Sequence, residues 1–510
     1  MSRVASRKTA SLMSSLVGLI NSGITICLTF LMRTVVLKEF GVEYVGLYSL
    51  LSQTVGILAG VDGGVSSALF IRMHKPIAED NLGEIQKYYF LIRIVYRVRG
   101  ILVFAIGMVV ALFIPRIANT SIEMTIVISC YIAFLLLNAL SYCFNYDYFM
   151  LETVQKRYIA SAIVCVVNVV VSVINIFLVY QTHNYFLYII ITSLNQVISY
   201  SICKLVFRNI KKQYYKKLRF ERKYFKDIID LLGMSLHTFS NILITNSDTI
   251  MMSMLLTLVV TGFYSNYYLI LTGVNTLAMQ ITLSIKDPFR NLVMTSSDKV
   301  AYLNIKRIVF LYVIIAGTMG ATYSAMADFF VKIFWGNENI ISNQLTVYLL
   351  AFSFFINIIS SPIVDYYYCK EYYRKDRISP LIEIVINIVL SVVLAKLIGL
   401  NGIIIGTIVT YLYRLAHRSK VVYGSYSNLY FKEMLFLLIK GISVYILITI
   451  LLRHVVQMLA HYQNIIWFLI WAFAIAIISF SMQYLVFRKE NEMAYYKSFF
   501  MEIVYKIIKR

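Results

Sequence analysis

Val45-Gly46-Leu47-Tyr48-Ser49 is echoed 216 positions later by Thr261-Gly262-Phe263-Tyr264-Ser265, and each stretch enters a long apolar segment. Asn168-Val169-Val170-Val171-Ser172-Val173 returns 219 positions on as Asn387-Ile388-Val389-Leu390-Ser391-Val392, again inside an apolar segment. Two concordant offsets of this length read as a duplicated unit. In a chain this apolar, duplication predicts two homologous helical bundles enclosing a substrate site, the plan of many secondary transporters.

Composition places the duplicated unit in a bilayer. The 510 residues are 60% hydrophobic, with a mean hydropathy of +0.75, against about 45–50% apolar residues in soluble domains. A span takes roughly 20 apolar residues, and fourteen such segments begin near residues 11, 44, 90, 122, 159, 185, 231, 260, 308, 339, 381, 400, 435 and 464. The expected fold class is an all-α integral membrane protein. Its expected parts are an N-lobe of six spans over 1–207, a basic linker over 208–230, a C-lobe of six spans over 231–417, two further spans over 418–487 and a tail over 488–510. The first segment follows Arg3, Arg7 and Lys8 without a convincing cleavage site and reads as a retained span.

With the N-terminus cytoplasmic, loops on that side collect all of the 47 Lys and Arg residues except Arg33, Lys38, Arg116, Lys332, Lys396 and Arg453. That asymmetry predicts both termini in the cytoplasm. The net charge of +22 then needs no nucleic acid. Its densest block, Arg208 to Lys226, reads as a linker lying on anionic head groups at the cytoplasmic face. The cysteines show no CxxC spacing and the histidines no HExxH pair, so neither a disulfide framework nor a metal site is supported, and no cofactor is expected. No Walker A loop is present. Transport would therefore be driven by an ion gradient, the membrane potential or the substrate's own gradient. Short outer loops without convergent catalytic groups argue against a membrane glycosyltransferase or polymerase.

Polar residues inside the spans carry the functional reading. Asn21, Thr25, Thr29 and Arg33 fall at intervals of four on the first span, along one helix face. His237, Asn241, Thr245 and Asp248 repeat that stripe on the seventh. Two such stripes line an interior cavity or serve as interhelical hydrogen-bond glue. Asp62, among Gly56, Gly60, Gly63 and Gly64, marks a bend. Asp62, Asp248 and His237 are the candidates for ion coupling, with structural pairing of Asp62 to Arg33 or Arg93 as the alternative. Arg93 and Arg97 share a face of the third span with Tyr89, and Arg290 follows the eighth. Their guanidinium groups suit an anionic head group, or ordinary snorkelling to the interface. The candidate substrate contacts are thus Arg33, Arg93, Arg97, Arg290, Asn21, Thr25, Asn241 and Thr245.

Lys38-Glu39-Phe40-Gly41-Val42-Glu43-Tyr44-Val45-Gly46-Leu47-Tyr48-Ser49, Gly60-Val61-Asp62-Gly63-Gly64, Asn246-Ser247-Asp248 and Leu400-Asn401-Gly402-Ile403-Ile404-Ile405-Gly406-Thr407 together resemble the polysaccharide flippases of the MOP (MATE-like) exporter superfamily. The resemblance covers essentially the whole chain and rests on small and apolar residues. It implies two pseudo-symmetric six-helix lobes forming a V-shaped cavity by alternating access, with two C-terminal helices beside a lipid-tail groove. It also implies a polyprenyl-pyrophosphate-linked oligosaccharide as cargo, moved from the cytoplasmic to the outer leaflet of a bacterial cell membrane for capsule or exopolysaccharide synthesis. Other polysaccharide-assembly membrane proteins are then expected partners. A lipid II flippase and a cation-coupled multidrug exporter of the same superfamily are the alternatives; the two extra spans and the basic interior disfavour the exporter.

Overall fold

The computed structural model describes residues 2–62, 64–216, 235–295, 297–424, 428–459 and 464–508. Its first half contains α1 (Ser2–Glu39), α2 (Val42–Leu58), α3 (Val65–Ala78), α4 (Leu82–Ala111), α5 (Ile114–Ile117), α6 (Met124–Ser141), α7 (Tyr146–Thr153), α8 (Arg157–Thr182), α9 (Tyr185–Ile210) and α10 (Ser235–Leu255). Then follow α11 (Leu258–Thr295), α12 (Asp298–Trp335), α13 (Gln344–Cys369), α14 (Ser379–Ile398), α15 (Leu400–Gly424), α16 (Asn428–Leu459), α17 (Ile465–Phe487) and α18 (Asn491–Ile508). Among the described residues there is no strand. Several helices start where the sequence supplies a cap: Asn81, Asn184, Asn343 and Asn464 each accept a hydrogen bond from a backbone N–H of the first turn, worth about 1 kcal/mol apiece.

Eleven helices among the described residues are long and apolar enough to cross a membrane. Helices α10, α11 and α15 have 21, 38 and 25 residues, enough at ~1.5 Å per residue to cross a hydrocarbon core of about 30 Å. Their hydropathy is lower because they carry polar groups, such as Asn241 and Asp248 on α10 and Arg414 and Arg418 on α15. Each of the fourteen expected segments thus falls on a helix, and the chain is a multi-pass, all-α membrane protein. The basic linker from residue 217 to 230 lies outside the described residues.

The helices pack as two compact units, Met1–Gly262 and Phe263–Arg510. In the first, α1 lies along α8, α8 and α6 lie along α9, and α10 lies along α2. One apolar cluster gathers Val36, Leu47, Leu51, Val103, Leu135 and Ile189. A second gathers Leu69, Met73, Ile92, Tyr96, Tyr146 and Phe207. The expected break after α2 is present: the chain tightens into a 3-10 turn over Ala59–Asp62, and Gly64 at φ +84 starts α3. In the second unit α12 is the hub, packed on α13, α16 and α17, while α14 and α15 form a tight antiparallel pair.

The two helices that carry the second sequence echo, α8 and α14, behave alike toward lipid. Val166, Val170, Val173 and Phe177 are exposed on α8, and Leu381, Val385, Val389 and Val393 on α14. Spaced by three or four residues, each row is one continuous apolar face. Their polar residues point the other way, into their own unit.

Candidate substrate site

A cavity of about 210 Å³ lies inside the first unit, between α1, α2, α8 and α9. The α1 stripe contributes Thr25, Thr29 and Arg33, and α2 contributes Tyr48 from the echoed stretch. The facing wall is Asn168, Ser172 and Asn175 of α8 with Tyr188, Thr192 and Asn195 of α9. Among the described residues no lining side chain is acidic. The spacing explains the wall: Asn168, Ser172 and Asn175 recur at four and three residues, which brings them onto one face of α8.

Most of the wall is cross-linked. Asn195 Nδ2 donates to Asn168 Oδ1 at 2.7 Å, and Asn168 Nδ2 donates to Thr25 Oγ1 at 3.5 Å. Asn175 Nδ2 donates to Thr192 Oγ1 at 2.8 Å, and the Thr192 hydroxyl in turn donates to the Tyr188 carbonyl at 2.8 Å. Because the threonine proton is committed to the backbone, the amide of Asn175 is held with its nitrogen toward Thr192. Asn175 Oδ1 is left without a hydrogen-bond partner among the described residues, in a side chain only 2% exposed.

The same repeat positions in the second unit are closed. Asn387 and Ser391 of α14 are fully buried; Asn387 Nδ2 donates to Thr407 Oγ1 at 3.0 Å and Ser391 Oγ to the Ile403 carbonyl at 3.3 Å. Gly402 and Gly406 draw α15 so close that a β-carbon would lie 2.2 Å from the Leu394 carbonyl oxygen and 2.3 Å from Ser391 Oγ. Helix α9 contains no glycine, so it stands further from α8 and space remains. Equivalent polar residues thus act as interhelical bonds in one unit and line a cavity in the other.

The remaining sequence candidates are distributed around the cavity or away from it. Asn21 lies one turn before Thr25 and is not among the lining residues; its Oδ1 is buried without a hydrogen-bond partner among the described residues. The α10 stripe contributes nothing to this cavity. There, His237 and Asp248 are buried while Asn241 and Thr245 are exposed. Asp62 pairs with Arg99 at 3.4 Å, not with Arg33 or Arg93, and accepts hydrogen bonds from the Ser66 hydroxyl and the Gly64 N–H. The 3-10 turn carries the carboxylate toward α4, where Arg99 sits over the Tyr142 ring. Arg290 and Lys286 both pair with the buried Asp365 of α13 at 3.0 Å. On α4 the arginine face runs from half-buried Arg93, over the rings of Tyr89 and Tyr215, to exposed Arg97.

Arg93 also borders a cluster that the sequence did not reveal. Asp147 of α7 is fully buried and accepts hydrogen bonds from Tyr89 Oη at 2.6 Å and Tyr215 Oη at 2.8 Å. Burial pushes its carboxyl up to about 6, against the opposing pull of the two tyrosine hydroxyls, Lys204 and Arg93. An acid raised above its ordinary value of ~3.9 binds its proton more tightly in the folded protein. The stability it contributes is full below about pH 4 and is lost as pH rises through about 6. Asp147→Asn keeps an acceptor for both tyrosines and should flatten the pH dependence of thermal unfolding between about pH 4 and 7. An unchanged profile would mean that Asp147 is ordinarily acidic in the folded protein.

No protein-family model and no curated protein matches the sequence. Solved structures do. The inward closed conformation of the lipid II flippase MurJ matches at a TM-score of 0.58 and 17% identity, over 94% of this chain and 98% of that one. An inward-facing multidrug resistance MATE family transporter of the MOP superfamily matches at 0.58 and 14% identity, over 80% of this chain and 98% of that one. The eukaryotic MATE transporter AtDTX14 matches at 0.56 and 13%, over 85% and 97%. The chain therefore has the fold shared by MurJ and the MATE transporters of the MOP superfamily.

Proposed function

We propose that the chain is a flippase that carries a polyprenyl-pyrophosphate-linked oligosaccharide from the cytoplasmic to the outer leaflet of a bacterial cell membrane, by alternating access of an N-lobe over 1–207 and a C-lobe over 231–417. The observation that carries this reading is the cavity wall: an arginine, amides, hydroxyls and tyrosine rings, with no carboxylate among the described residues. Such a wall suits an anionic, hydroxyl-rich cargo and repels none of its charge. A cation-coupled drug exporter is disfavoured by the same wall. The second reading is a lipid II flippase, favoured by the length of the match to MurJ, which at 94% of the chain exceeds that to the MATE transporters. Basic loops on the side of Arg93 and Arg97 support cytoplasmic termini and contact with anionic lipids there. Asp248 and His237 of α10 are the proposed proton-exchanging groups, Asp62 being held by Arg99.

Arg93 and Arg97 are the proposed entrance contacts for the pyrophosphate. Reconstituted in vesicles with a lipid-pyrophosphate-linked oligosaccharide, the Arg93→Ala, Arg97→Ala double variant should transport at least about tenfold less per molecule, since a hydrogen bond to a charged group contributes roughly 1.5–3 kcal/mol. Lysine at both positions should restore charge but not the two-pronged contact. Full transport by the alanine variant would reject the entrance site and reopen the case for a cargo that is not anionic.

A further inference from the structure

Resting on the flippase reading, we propose that the cavity of the first unit is a subsite for a single pyranose ring that carries or adjoins an oxyanion. The ring hydroxyls meet Asn175, Asn195 and Thr192, and the oxyanion meets Arg33. At about 210 Å³ the cavity is smaller than the roughly 300 Å³ at which pockets for drug-sized ligands begin, a size that suits one sugar ring. Asn175 Oδ1 is a buried acceptor with no donor among the described residues, and its amide cannot turn because Thr192 holds the nitrogen. A ligand hydroxyl in the cavity can donate to it in place of solvent. A sugar hydroxyl donates; an ionised carboxylate or phosphodiester does not. A metal cation would fill the same acceptor, but Arg33 and the lack of a carboxylate among the described lining residues oppose it. Tyr48 and Tyr188 supply ring surface for the apolar edge of a pyranose. Asn387 and Ser391, the counterparts of Asn168 and Ser172, are satisfied by direct contact with α15, so those two positions do not by themselves require an opening.

The oxyanion has two sources, a carboxylate on the sugar itself or the phosphate that joins the first sugar to its lipid. The purified full chain in lipid nanodiscs is titrated with glucose, glucuronate and glucose 1-phosphate, and with the three galactose counterparts, with binding read by saturation-transfer NMR. In at least one series an anionic sugar should bind about tenfold or more tightly than the neutral one. Preference for the uronate assigns the oxyanion to the glycan, and preference for the 1-phosphate assigns it to the lipid linkage; both support the subsite. Arg33→Gln should abolish the preference while leaving weak neutral binding, and Asn175→Leu should lower all affinities about tenfold. Asn195→Leu serves as the second variant should Asn175→Leu fail to fold, and thermal unfolding monitors each. No binding, equal affinity for neutral and anionic sugars in both series, or affinities unchanged in the leucine variants would overturn the subsite. Transport of a lipid-linked oligosaccharide is read on the same preparations. Transport without any sugar preference removes the subsite alone, whereas sugar binding without transport removes the flippase reading alone.

Discussion

Gly46→Ala and Gly262→Ala should each cut the folded yield and melting temperature of the protein more than any other single added methyl in the first unit. A β-carbon on Gly46 would lie 1.9 Å from the Leu258 carbonyl oxygen, and one on Gly262 would lie 2.1 Å from that of Val42. Both obstacles are backbone, so no side-chain rotation relieves them. Helix α2 and the first turn of α11 would have to separate by more than 1 Å, since ordinary carbon contacts begin near 3.5 Å. That separation pulls on a linked network: Leu258 N donates to the Asn119 carbonyl at 2.9 Å, Asn119 N donates to the Ser253 carbonyl at 3.2 Å, and Glu43 accepts from Thr120 Oγ1 and the Ser121 N–H. Overpacking alone costs about 1–3 kcal/mol, and the lost hydrogen bonds add roughly 1 kcal/mol each. Gly18→Ala is the matched control, because nothing lies within 4 Å of its β-carbon and alanine favours a helix interior by up to about 1 kcal/mol. Equal melting of Gly46→Ala and the control would show that α2 and α11 do not meet at this pair.

The Gly46–Gly262 crossing shows why the repeat was the most legible feature of the sequence. The echoed stretches contain the two glycines that touch, so the pattern marked a packing point as well as a duplication. Span positions were legible because apolar length is a local property. The break at Asp62 was legible for the same reason, glycine density being readable without knowledge of neighbours. Partners were not. Asp62 found Arg99 on α4 because the 3-10 turn swung the carboxylate across, and nothing in the spacing of residues 56–64 encodes that rotation. The α1 half of the cavity was visible as a four-residue stripe, but Asn175, Thr192 and Asn195 were missed. Two signals could have found them: the i, i+4, i+7 run of Asn168, Ser172 and Asn175, and the lack of glycine in α9 where α15 has Gly402 and Gly406. The ion pairs of the second unit, buried Glu383 with two arginines and half-buried Asp328 with Arg453, join residues 31 to 125 positions apart, beyond the reach of any periodicity.

Glu383→Ala should destabilise the second unit by about 3–5 kcal/mol, the range for breaking a buried ion pair from one side. Glu383 is fully buried on α14 and accepts hydrogen bonds from Arg414 Nε at 2.9 Å and Arg418 Nη2 at 3.3 Å, with Arg414 Nη2 in ion-pair range at 2.7 Å. Both arginines are themselves buried, Arg418 over the rings of Tyr367 and Tyr368. Without the carboxylate two guanidinium charges remain in a low-dielectric interior with its compensation lost. Glu383→Gln keeps the shape and one acceptor but not the charge, and should fall between. The triple variant Glu383→Leu, Arg414→Leu, Arg418→Met removes every charge together and should recover most of the loss, because the desolvation cost disappears with the attraction. Thermal unfolding orders the four proteins. Vesicle transport per folded molecule then separates two roles for the cluster. A clamp that only fixes α14 against α15 predicts unchanged transport in Glu383→Gln and in the triple variant. Wild-type melting of Glu383→Ala together with lost transport would reject the clamp, and would place this carboxylate among the groups that change partners as the protein works.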